Sequence, residues 1–160
     1  MWVDHYISVF YDVPVASARP RFNRHTGSAY LPAKSAKEVT RIAGLIKHKM
    51  QKDYIKKIPK HIAVSCVLHF VHAKPKSHKK STSRIPKTTR PDIDNLTKTY
   101  LDSATKAGLW HDDSQVAKLL CEDYYAATGE DPHIIFKVSY WLDAKIPKPT
   151  WLDFDPDRST

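Results

Sequence analysis

Cysteine and glycine are scarce in this chain, and each scarcity closes a route. Two cysteines, Cys66 and Cys121, stand in 160 residues. That is too few for a disulfide scaffold, and both lie in apolar runs, where a thiol behaves as a small buried hydrophobe. Four glycines leave no Gly-rich cradle for a nucleotide phosphate, neither a P-loop nor a G-x-G-x-x-G turn. No apolar run approaches the ~18 residues a membrane-spanning helix needs. No amphipathic basic helix with a Trp/Leu face favours a membrane surface. Residues 1–13, MWVDHYISVFYDV, lack a charged region followed by an apolar run. No secretory signal is expected, and the chain is expected to be cytoplasmic. Acid is missing where base is densest: residues 74–90 hold seven Lys or Arg and no Asp or Glu.

What is present is a globular composition with an excess of base. Hydrophobic residues make up 41 %, enough for a packed core at this length. The formal net charge of +9 favours a polyanionic partner, nucleic acid first.

Periodicity divides the chain into strands and helices. Residues 3–11 are rich in β-branched and aromatic side chains and read as a strand. Pro14, Pro20, Gly27 and Pro32 punctuate the next segment into a loop or irregular hairpin, which carries Arg19, Arg21, Phe22, Arg24 and Tyr30. Ser35 and Glu38 have capping-box spacing, and Val39, Ile42, Ile46 and Met50 recur at helical spacing. A helix is therefore expected over 36–56, ended by Pro59. Residues 62–71 alternate strictly, with Ile62, Val64, Cys66, Leu68 and Phe70 on one face. Residues 73–90 are rich in Ser, Thr, Lys and Pro without periodicity, and a mobile basic surface loop is expected there. A second helix is expected over 94–107, with Leu96, Tyr100, Ala104 and Ala107 as its apolar face. Asp94 or Asn95 would cap its start, and Gly108 would supply its left-handed stop. Two strands follow, SQVAKLLCEDYYA and HIIFKVSYWLD, joined by a turn at ATGEDP. This order predicts one α+β domain over residues 1–143: a small mixed β-sheet with two main helices packed on it. Residues 144–160 read as a Pro-rich, acidic C-terminal tail, with Trp151 and Phe154 able to dock.

The carboxylates gather beside the basic loop. Residues 91–113 read PDIDNLTKTYLDSATKAGLWHDD and hold Asp92, Asp94, Asp102, Asp112 and Asp113. Each has an ordinary structural explanation: an N-cap, an ion-pair face formed by Asp94, Lys98 and Asp102, an acidic turn before a strand. Together they repel one another unless a proton is shared or a cation bridges them. Mg²⁺ takes oxygen ligands and keeps several waters, so two or three carboxylates suffice. A metal so held polarises a phosphoryl oxygen and supplies a hydroxide-like water. A neighbouring lysine offsets the charge of the transition state. Asp-x-Asp, a lysine and a third aspartate are thus a coherent set for metal-assisted phosphodiester hydrolysis.

The segment RPDIDNLTKTYLDSATKAGLWHDDSQV also resembles the signature of the RusA family of Holliday junction resolvases, small dimeric endodeoxyribonucleases of bacteria and their phages. The matching positions are residues 91–95, Lys98, residues 101–104, Ala107, Gly108, Trp110 and residues 112–115. RPRFNRHTGSAYLPAKSAKE resembles the family's Arg/Pro segment ahead of its first helix. The resemblance implies a RusA-like fold, Mg²⁺ as cofactor with Mn²⁺ able to substitute, and a homodimer that cuts four-way DNA junctions in recombination and repair. It implies Asp92, Asp94 and Asp113 as the catalytic metal ligands and Lys98 as the catalytic lysine. Spacing alone leaves Asp112 open against Asp113. The cations expected to hold DNA are Arg19, Arg21, Arg24, Lys74, Lys76, Lys79, Lys80, Arg84, Lys87 and Arg90. His69 and His72, three apart in a strand, face opposite ways and predict no zinc site. Two rival readings stand beside this one. One is a nuclease for another branched DNA such as a flap; the other is a non-catalytic basic DNA-binding protein whose acids only cap and pair. No membrane partner is expected.

Overall fold

Strict alternation in the apolar strands becomes a single buried sheet face. The computed structural model describes residues 1–143, so the expected tail at 144–160 lies outside the described residues. The elements run β1 (Trp2–Phe10), β2 (Arg21–Asn23), β3 (Ser28–Tyr30), α1 (Ala33–Lys52), β4 (Val64–His72), β5 (Ile85–Pro86) and α2 (Ile93–Ala107). A 3-10 turn (Asp113–Gln115), β6 (Val116–Tyr125) and β7 (His133–Trp141) complete them. β2 and β3 form a separate hairpin, and the other strands form one sheet in the order β1-β7-β4-β6-β5. β4 and β6 are parallel, while β1–β7, β4–β7 and β5–β6 are antiparallel. A parallel pair needs a long crossover. Here the crossover carries α2, which brings the acidic segment back across the sheet.

On the helix side of the sheet, Phe136 lies between Ser8 and Leu68, and Val138 between Tyr6 and Cys66. Ile42, Ile46 and Met50 of α1 and Leu96, Tyr100 and Ala104 of α2 close this face into one core. The helical and strand periodicities read from the sequence therefore meet in one place. On the other side, Ile7, Lys137, Val67 and Leu120 form a row across four strands. Ile7 is 50 % and Leu120 48 % exposed there.

Two boundaries differ from expectation. α1 starts at Ala33, with Pro32 before it and no side-chain cap. Proline presets a φ compatible with helix entry, so the helix begins there and leaves Ser35 inside its first turn. The expected capping box does not form. Ser35 is buried and its Oγ accepts from the Ala18 amide at 2.9 Å, while Glu38 pairs with Arg41 at 3.0 Å. α1 also stops at Lys52, before the expected 56, where Asp53 takes up Lys49 at 2.6 Å. At the end of α2, Gly108 has φ +82°, the left-handed stop expected of it.

Residues 73–90, expected as a loop without regular structure, contribute β5 and are laced to the neighbouring turn. The Thr128 amide donates to Ser81 O at 2.8 Å, and Arg84 pairs with Glu130 at 2.7 Å. Among the described residues, no helix is long and apolar enough to cross a membrane.

Candidate active site

The start of α2 sorts the two acids of the Asp-x-Asp pattern. Asp92 is the N-cap residue, with extended backbone and no side-chain cap bond, and Asp94 stands in the first turn. The cap expected at Asp94 or Asn95 thus falls two residues earlier. Asp94 still gains from the helix dipole. Successive helical residues are turned by ~100°, so the side chains at 92 and 94 leave the helix on different sides.

Asp94 opens on a groove of about 450 Å³ lined by Thr97, Lys98, Leu101, Asp113 and Leu119, with Ile93 and Cys121 at its edge. Asp92 opens on the adjoining groove of about 510 Å³, which runs along residues 86–91 and 122–124 and shares Ile93 and Cys121. Asp92 also borders a groove of about 750 Å³ with Arg21, Lys34 and Arg90. The expected catalytic set is therefore divided. Asp94, Lys98 and Asp113 share one groove, and Asp92 lies in the next. Among the described residues, no three His, Cys, Asp or Glu side chains are grouped closely enough to hold a metal ion. Asp92 stands before the helix and Asp94 within its first turn, so the two carboxylates face adjoining grooves. The donors in the grooves are oxygen, the chemistry a hard divalent cation prefers.

Asp112 and Asp113 have separate jobs. Asp112 caps the 3-10 turn, accepting from the Ser114 amide at 2.8 Å, while the Gln115 side chain accepts from the Asp112 amide. Asp113 turns toward α2, where Thr105 Oγ1 donates to its Oδ1 and Trp110 Nε1 donates to the same oxygen at 3.2 Å. The side chain left open by spacing is thus Asp113 as far as the groove is concerned.

Sequence reasoning gave Gln115 no role, yet it clamps this turn. Its Oε1 accepts from the His111 amide at 2.8 Å, and its Nε2 donates to Pro59 O at 2.9 Å and Ile62 O at 3.0 Å. Its place in the signature-like segment marks the residue but not this role, because two of its partners, Pro59 and Ile62, stand more than fifty residues away.

Lys98 pairs with Asp102 at 3.2 Å, taking its neighbour one turn on rather than the one before. Burial raises the Asp102 carboxyl pKa above its ordinary value, Lys98 opposes the rise, and Asp113 adds to it. Asp102, read from the sequence as a solvated ion-pair residue, therefore belongs to the same electrostatic patch as Asp113.

The expected DNA-holding cations are also divided. Arg19, Arg21, Arg24, Lys76, Lys79, Lys80 and Arg90 are exposed, and Lys74 and Arg84 are half-buried. Lys87 departs from expectation. Its side chain is only 3 % exposed and pairs with Asp123 at 3.2 Å, so its charge is spent inside the protein. A loop rich in base does not reveal which base turns inward. His69 and His72 take different partners, Glu122 and Asp123, and make no joint site.

Two acids and a lysine share one groove on a basic α+β fold, a donor set of the kind metal-assisted nucleases use. The sequence model of the endodeoxyribonuclease RusA family matches residues 12–138, and the chain belongs to that family. It is a metal-dependent endodeoxyribonuclease that resolves Holliday junctions, with branched DNA as its substrate. The family is one of bacteria and phages. A search of the curated proteins found no match.

Proposed function

We propose that Asp92, Asp94 and Asp113 hold Mg²⁺, with Mn²⁺ able to replace it, and that Lys98 faces the scissile phosphate of a four-way junction. The observation that carries this reading is the shared groove of Asp94, Lys98 and Asp113. When bound, the cation supplies Lewis-acid polarisation of a phosphoryl oxygen and an acidified water. The chain's own residues prepare the place. Thr105 and Trp110 fix one oxygen of Asp113. The Lys98 ammonium is exposed on a flexible stem and exchanges Asp102 for a phosphate oxygen when DNA arrives. Arg19, Arg21, Arg24, Lys76, Lys79, Lys80 and Arg90 hold the arms, with Lys74 and Arg84 beside them. A junction with two-fold symmetry needs two matched cuts, so the working unit is a homodimer. The open sheet face around Ile7 and Leu120 is the apolar surface a second copy would cover.

The test is a labelled synthetic four-way junction incubated with enzyme and Mg²⁺, beside flap, fork and linear duplexes. Paired symmetric cuts in the junction are expected, with the linear duplex cut far more slowly. A flap cut as fast as the junction would count against four-way selectivity. The division between the neighbouring acids gives a second check. Asp112→Asn keeps a good cap, so its cleavage rate should match wild type. Asp113→Asn should lose ~10²- to 10³-fold, because one charged ligand is gone. Equal rates in the two variants would reassign the third ligand.

A further inference from the structure

Lys87 lies five residues before Asp92, with its ammonium inside the protein. Its Nζ donates to Thr89 O at 2.5 Å, to Pro91 O at 2.9 Å and to Asp123 Oδ2 at 3.2 Å. An ammonium has three donors, and all three are used. The backbone strengthens the attachment: the Lys87 amide donates to Asp123 O at 3.0 Å, and Ile85 and Pro86 pair with Tyr125 and Tyr124. The Thr89 hydroxyl meets the Tyr125 hydroxyl at 2.6 Å. On the far side, His72 Nε2 stands 2.7 Å from Asp123 Oδ1. The whole strap from 85 to 91 is sewn to β6, and it ends at Asp92.

A buried ion pair is a poor way to gain stability, because an apolar pair of the same size fills the space without desolvating charge. What an apolar pair lacks is a donor for the carbonyls of Thr89 and Pro91. Pro91 O is the last carbonyl before Asp92, and Asp92 and Lys87 line the same groove. We propose that Lys87, braced by Asp123, is a positioning residue that fixes the backbone at Pro91 and so sets where Asp92 presents its carboxylate. The proposal rests on the reading of Asp92 as a metal-holding acid. It gives the buried lysine a role in catalysis without contact to DNA.

The experiment combines Lys87→Met with Asp123→Leu, which removes both charges together and leaves neither buried alone. Single-turnover cleavage of the four-way junction is measured across a Mg²⁺ titration, and junction binding is measured in EDTA. The double variant should melt cooperatively and bind the junction as wild type does. It should cleave ~10- to 100-fold more slowly and need more Mg²⁺ for half-maximal rate, as when a ligand's support is removed. Wild-type rate with wild-type Mg²⁺ dependence would reduce the pair to packing and overturn the proposal. Weaker binding with an unchanged saturating rate would make Lys87 a DNA contact and also overturn it. Should the double variant fail to fold, Lys87→Arg carries the same readouts. It keeps the charge beside Asp123, but its planar fork does not reproduce the two carbonyl contacts. Asp92→Asn, run alongside, separates the two readings. Normal cleavage by Asp92→Asn removes the role given to Asp92. Loss in Asp92→Asn with a normal Lys87 variant removes only the role given to Lys87.

Discussion

Asp94→Asn should bind the four-way junction as tightly as wild type or more tightly, and should cleave it ~10³-fold more slowly. The substitution is nearly isosteric and the side chain is exposed at the first turn of α2, so the fold loses little. The lost dipole interaction is worth ~0.3–1 kcal/mol, and only to stability. The loss in rate has a different source. A carboxylate that holds the cation supports several kcal/mol of transition-state charge stabilisation, and ~4 kcal/mol corresponds to about a thousandfold. Binding moves the other way, because the chain becomes one unit more positive than its +9 and a repulsion near the scissile phosphate disappears. A single-turnover assay at saturating enzyme, with a gel-shift titration beside it, reads both quantities. Cleavage at the wild-type rate would place the reacting centre elsewhere. Parallel loss of binding and cleavage would make Asp94 a folding residue.

The elements legible in the sequence are those whose signal is local. The alternation of Val64, Cys66, Leu68 and Phe70 is set by the strand itself, and all four are fully buried. Ile42, Ile46 and Met50 follow the helical period for the same reason and reach the same core. Gly108 was legible because few other residues tolerate its left-handed backbone. Asp94, Lys98 and Asp113 stood out because carboxylates gathered in a basic chain call for an explanation, and the fold brings the three to one groove. What was not legible depends on which of several possible partners the folded chain selects. Ser35 fits a capping box by spacing, but Pro32 starts the helix sooner and Ala18 claims the hydroxyl. Lys98 has an acid four residues away on either side, and only the folded chain shows that Asp102 is the partner. Lys87 looks like six other cations in the loop until Asp123, thirty-six residues on, comes beside it. The Asp-x-Asp pattern offers two candidate ligands by spacing, but the start of α2 places them in adjoining grooves.

Trp110→Ala should destabilise the protein by ~3–5 kcal/mol, a large share of the ~5–15 kcal/mol that holds a typical domain folded. Trp110 is fully buried and meets the Phe136 ring edge-on, with centroids 6.4 Å apart. Its indole N–H donates to Thr105 Oγ1 at 2.7 Å and to Asp113 Oδ1 at 3.2 Å. One side chain thus fills the core beneath the 3-10 turn and holds the acid above it. The alanine variant leaves a cavity and two acceptors without their donor, and its melting temperature should fall by roughly 10–15 °C. Trp110→Phe separates the two functions. It keeps an aromatic ring in the core, so the melt should shift far less, but it removes the N–H. Asp113 is then held by Thr105 alone, and junction cleavage should drop ~10- to 100-fold with binding unchanged. Calorimetry and the single-turnover assay on both variants decide the matter. A phenylalanine variant with wild-type cleavage would show that Trp110 supports Asp113 only by filling space, and that Thr105 suffices to aim the carboxylate.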